Sequence, residues 1–76
     1  MREFKPGDRI KHFKGMEYEY LFNAIHSETG EKMAVYKALY GEGTIYVRPF
    51  EMFYEEVDKE KYPDVLQKYR FEKISK

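Results

Sequence analysis

The chain has 76 residues with 14 Lys plus Arg against 14 Asp plus Glu. Its zero formal charge disfavours a general nucleic-acid binder, which carries a basic excess. No cysteine is present, which excludes a disulfide framework, a thiolate zinc site and a thiol nucleophile. The length fits one small domain that buries only about 60–65% of its unfolded surface, so each core ring matters. Eight Tyr and six Phe with no Trp supply those rings, each burying on the order of 150–250 Å².

In chain order, Lys5-Pro6-Gly7-Asp8 is a turn, with Pro and Gly suited to its central positions. Arg9 to Phe13 alternates and reads as a first strand, closed by Lys14-Gly15. Tyr18 to Ser27 is a longer strand, dense in aromatic and β-branched residues. Glu28-Thr29-Gly30 suits a three-residue hairpin loop with glycine in the left-handed position. Lys32 to Tyr40 and Thr44 to Pro49 are the third and fourth strands, joined by Gly41-Glu42-Gly43. Pro49 to Phe53 reads as a helical or 3₁₀ turn and Tyr54 to Val57 as a fifth strand. Beyond the charged connector Asp58 to Lys61, the residues Tyr62, Val65, Leu66 and Tyr69 fall at helical spacing, with Pro63 in the first turn. Phe71 and Ile74 then dock in extended form.

The expected fold is mainly β: a small five-stranded, strongly bent antiparallel sheet or SH3-like barrel, with a helical turn before the last strand and a short C-terminal helix. Residues 1–76 form a single domain, with a core at 7–57 and a tail at 58–76.

Register decides which residues share a face. Three-residue loops pair Ser27 with Glu31 and Tyr40 with Thr44, which sets Phe22 beside Tyr36 and Tyr36 beside Arg48. One face then carries Tyr18, Tyr20, Phe22, Ala24, His26, Tyr36, Ala38, Tyr40, Tyr46 and Arg48. The other carries Leu21, Asn23, Ile25, Val35, Lys37, Leu39, Ile45 and Val47; being mostly aliphatic, it is the expected core. A slip of one residue would flip these assignments.

The aromatic face is the leading candidate for function. Tyr and Arg are enriched at binding hot spots, and an arginine flanked by rings suits a carboxylate or phosphate. Tyr36, Tyr46, Arg48, His26 and Tyr40 are its candidate ligand-binding residues. The alternative is that the rings form the interior, with Arg48 emerging at its edge. His26 and Ser27 point to opposite faces of their strand, so they make no nucleophile–base pair, and His12 reads as structural or exposed. Gly41-Glu42-Gly43 precedes a strand rather than a helix, which is the wrong context for a phosphate loop. Glu51, Glu55, Glu56, Asp58 and Glu60 read as a solvated charge run rather than a cation loop.

Short motifs carry a resemblance across roughly residues 2–58: His12-Phe13-Lys14-Gly15, His26 to Thr29, Val35-Tyr36, Leu39-Tyr40-Gly41, Tyr46 to Pro49, and Met52-Phe53. In these the chain resembles a family of short bacterial proteins grouped as a domain of unknown function, DUF1653. Tyr46 stands where that family usually has Trp, and Tyr20 to Ala24 departs from its usual small-residue step. The resemblance implies a compact bacterial β domain of cytoplasmic type and no particular activity. It places His26, Tyr36, Tyr46 and Arg48 at motif positions.

The functional expectation is a non-enzymatic binding module whose aromatic face and Arg48 engage a protein or peptide partner, with no cofactor, metal or catalytic residue. The alternatives are a small-molecule or nucleotide-binding accessory domain, and single-stranded nucleic-acid binding by ring stacking. Homodimerisation is compatible with each. No apolar run approaches the roughly 18 residues that span a membrane, and the start MREFKPGDRI lacks a signal-peptide core, so a cytoplasmic location is expected.

Overall fold

Five antiparallel strands form one sheet in the computed structural model, which describes residues 3–74. The strands are β1 (Arg9–His12), β2 (Glu17–Ile25), β3 (Lys32–Ala38), β4 (Ile45–Pro49) and β5 (Phe71–Lys73), with the single-turn helix α1 (Phe50–Phe53) after β4. Their order across the sheet is β4-β3-β2-β1-β5. Successive hairpins build β1 to β4, and β5 returns from far along the sequence to pair with β1 through His12↔Phe71. The sheet is bent but open: β4 and β5 are its two edges and share no ladder, so the barrel alternative does not hold. Pro49, which has no N–H to offer a ladder, ends one of those edges. No helix among the described residues is long and apolar enough to cross a membrane.

The predicted hairpins form with longer loops. Between β2 and β3, the His26 N–H donates to Glu31 O at 2.8 Å, and Gly30 takes the left-handed conformation with φ of 75°. Between β3 and β4, Ala38 N–H donates to Thr44 O at 2.9 Å, so Tyr36 opposes Tyr46 and Arg48 opposes Ala34. That slip of two residues preserves the faces. The β2–β3 slip does not. Ladder pairs Tyr18↔Ala38 and Tyr20↔Tyr36 give way, across a bulge at Leu21, to Phe22↔Val35 and Asn23↔Ala34. The extra residue turns the distal half of β2 over. Phe22 and Ala24 therefore leave the tyrosine face, and Asn23 joins it, where its Oδ1 accepts the Tyr20 hydroxyl.

The core lies on the aromatic face, opposite to the expectation from aliphatic content. Tyr18, Tyr20, Ala34, Tyr36 and Ala38 are buried there with Ile10 and Phe4. Phe53 from α1 and Phe71 from β5 stack on each other at 4.2 Å between centroids and 9° between planes. Together they cover the tyrosines: Phe53 lies 5.1 Å from Tyr36 and 5.5 Å from Tyr20, and Phe71 lies 5.5 Å from Tyr36. The aliphatic face, expected inside, is the exposed one. Ile45 is 59% exposed, Val47 58% and Phe22 53%, with Val35 alone sheltered between its neighbours.

Two further expectations fall on the segment after α1. Tyr54 to Val57 does not add to the sheet; it runs antiparallel to residues 68–70 through the isolated bridge Glu56↔Tyr69 and the Val57 N–H to Lys68 O bond at 2.8 Å. No helix forms over 62–69. Lys59 Nζ instead donates to the carbonyls of Val65 and Gln67, and Gln67 Nε2 donates to Lys11 O at 2.9 Å, pinning the loop to β1. Leu66 of the supposed apolar stripe is 99% exposed. The rest of the stripe finds contacts without helical geometry: Tyr62 packs edge-on against Phe13 at 4.9 Å, and Val65 and Tyr69 are half-buried. The region read as a tail nonetheless supplies β5 and, in Phe71, one of the most deeply buried rings.

Candidate functional site

The candidate residues group around the inner-face rings, with one exception. Tyr36 is buried at the back of the group. Tyr46 packs 5.8 Å from Tyr36 and 6.3 Å from Tyr18 while remaining 42% exposed. Tyr40 sits 5.6 Å from Tyr18, and the two hydroxyls are hydrogen-bonded at 2.9 Å. Burial and that hydrogen bond push the Tyr18 hydroxyl far above its ordinary range, so it remains a neutral hydroxyl. Arg48, half-buried, lays its guanidinium 5.6 Å from the centroid of Phe71. His26 is the exception. It lies beyond the last ladder pair, Ile25↔Lys32, and its Nδ1 accepts the N–H groups of Glu28 at 3.2 Å and Thr29 at 3.3 Å. His26 caps a turn at another part of the molecule.

His12 completes the group in its place. Its ring lies 4.9 Å from Phe71, so His12 and Arg48 flank the same phenyl ring. The tight turn after β1 fixes the imidazole: His12 N–H donates to Met16 O at 2.8 Å, and Gly15, with φ of 107°, donates its N–H to His12 O at 2.8 Å. Lys14 N–H donates to His12 Nδ1 at 3.1 Å. An acceptor at Nδ1 puts the proton of the neutral ring on Nε2. Burial, first, and then the nearby charges of Arg48, Arg70 and Lys14 lower the His12 pKa to about 4. No carboxylate is among the groups acting on it.

The electrostatics are lopsided for a chain of zero formal charge. Arg48 makes no ion pair among the described residues, whose pairs are Lys32–Glu3, Arg70–Glu55 and Lys73–Asp8. Arg70 reaches Glu55 at 3.3 Å through Nη1, and its buried Nε has no hydrogen-bond partner. The charged groups acting on His12 are thus all cationic, and its own Nε2 carries an N–H donor. No group of three or more His, Asp or Glu gathers as a metal site among the described residues.

Sequence patterning does not single out His12, Arg70 or Lys14, although His12 and Lys14 lie in the His-Phe-Lys-Gly motif. No linear spacing brings residue 70 beside residues 12 and 48. The β1–β5 ladder does, through Phe13 N–H to Arg70 O at 2.9 Å and the His12↔Phe71 pair.

An open, five-stranded antiparallel sheet with an aromatic inner core and one short helix defines the class of protein. The sequence profile of DUF1653, described as a protein of unknown function, matches residues 8–73, and the chain belongs to that family. The match extends through the residues of the loop and β5, past the motifs that ended near residue 58. The fold is similar to the crystal structure of a DUF1653 protein from Bordetella bronchiseptica. The two share 29% sequence identity with a TM-score of 0.76, over 99% of this chain and 92% of that one. No curated protein matches.

Proposed function

We propose that the chain is a non-enzymatic binding module whose Arg48–Tyr46–Tyr40 rim grips an anionic group on a protein or peptide partner. The observation that carries this reading is Arg48 itself: a half-buried guanidinium 5.6 Å from the Phe71 ring, on the same face of β4 as the exposed Tyr46, without a carboxylate partner among the described residues. A guanidinium held against rings is arranged for bidentate recognition of an oxyanion, while the rings provide contact area with polar tips. A non-catalytic role agrees with the two histidines. His26 is engaged in a turn, and His12 stands among cations with no acid to form a proton-transfer pair.

The test is a panel of acidic and neutral synthetic peptides added to isotope-labelled protein. Acidic peptides should shift the Arg48, Tyr46 and Tyr40 signals, and Arg48→Ala should weaken that binding by roughly tenfold or more while the fold signals persist. A panel that leaves the rim signals unmoved sinks the proposal.

A further inference from the structure

We infer that the anionic group this site accepts is a phosphomonoester dianion rather than a carboxylate. This rests on the binding reading above and names its ligand chemistry. Three cationic side chains from separate parts of the fold act on His12: Arg48 from β4, whose guanidinium lies 5.6 Å from the Phe71 ring that His12 also meets, Arg70 from the residues leading into β5, and Lys14 from the β1–β2 turn, whose ammonium lies over the Phe13 and Tyr62 rings. Glu55 offsets one of them through Arg70. Two positive charges are left over. A carboxylate would neutralise one, and a phosphomonoester at neutral pH carries nearly two.

Donor geometry favours the same ligand. A guanidinium fork presents paired N–H groups to the edge between two oxygens, and a phosphoryl group offers three terminal oxygens to meet donors from several directions. Arg48 is unengaged by any carboxylate among the described residues, and the buried Arg70 Nε–H is an unmet donor. The His12 Nε2–H supplies a neutral donor, and no acidic group acts on the imidazole to repel an anion. Phe71, contacted by both His12 and Arg48, floors the site and holds the two in fixed relation. The charged groups acting on the imidazole are Arg48, Arg70 and Lys14. An anion held among them favours the protonated ring, so binding should move the His12 titration upward from about 4.

The experiment uses the full chain, labelled with ¹³C and ¹⁵N, and follows the Arg side-chain N–H and His12 ring signals. Inorganic phosphate, a phosphopeptide and adenosine monophosphate are titrated against acetate and the unphosphorylated peptide. The phosphate probes should move both sets of signals, bind roughly tenfold or more tighter than the carboxylate probes, and raise the His12 pKa by roughly one unit or more. The tighter of phosphopeptide and nucleotide then identifies where the phosphoryl group comes from. Acetate or the unphosphorylated peptide binding as tightly would overturn the phosphate assignment and leave the binding reading intact. Silence from every anion would remove both. The wild-type His12 titration needs no variant, so a poorly folded Arg48→Ala protein would not blur the outcome; Arg48→Lys, which keeps the charge but loses the fork, should weaken phosphate binding less.

Discussion

The two faces of this sheet invert the usual association between aliphatic side chains and burial. The inner face is built from Tyr18, Tyr20 and Tyr36 and is buried; the outer carries Ile45, Val47 and Phe22 and stands more than half exposed. What separates them is coverage. Phe4, Phe53 and Phe71 arrive from outside the β2–β3–β4 meander and all land on the inner side. Side-chain chemistry decides whether a face is able to be buried; connectivity decides whether it is.

Breaking the inner face should have the largest effect. Phe53→Ala removes a fully buried ring that contacts Phe4, Tyr20, Tyr36 and Phe71. We expect a loss of about 3–5 kcal/mol in urea unfolding, a large share of the roughly 5–15 kcal/mol typical of a folded domain. At the low end of that range, about 5 kcal/mol, the variant would be substantially unfolded at room temperature.

Acid should act next, also from the inner face. His12 in the folded chain titrates at about 4 against an ordinary 6.5, so the unfolded chain binds the extra proton across that window. Above pH 6.5 the residue leaves stability unchanged. As pH falls from 6.5 toward 4, stability should drop by at most about 1.4 kcal/mol per unit. Urea midpoints at about pH 7 and about pH 5 measure this, and His12→Gln should flatten the difference. An unchanged slope in that variant would mean that the imidazole is not the group responsible.

The outer face should respond least. Val47→Thr or Ile45→Thr on this exposed surface is expected to change stability by no more than about 0.5 kcal/mol. A loss of about 2 kcal/mol would show that something covers the face in solution, and would erase the contrast between the two sides.

Much of this is legible in the residues. The first four strands, the turn at Phe50–Phe53 and the family are marked by alternation, glycine loops and short motifs. The membership of Tyr18, Tyr20, Tyr36, Tyr46 and Arg48 on one face also survives, because the β3–β4 slip is an even number of residues. Phe22 and Asn23 are not placeable from pattern, since a bulge at Leu21 leaves no mark in an alternating strand. The buried side is hidden because the covering rings come from α1 and from a segment whose helical spacing conceals β5. The candidate site is half legible for the same reason. Its rim on β3 and β4 is local, whereas Arg70 reaches it through the longest-range pairing in the sheet.

That pairing also bears on the order of assembly. The hairpins of β1 to β4 close over short loops, while the His12↔Phe71 pair must gather in most of the chain. Loop closure disfavours such a contact early, so β5 should dock after the folding barrier has been crossed. In stopped-flow chevrons, Phe71→Leu should then speed unfolding and leave the refolding rate nearly unchanged, a φ-value near zero. The sheet would cross its barrier as an uncovered meander, with the tyrosines wet, and Phe71 would dry them last.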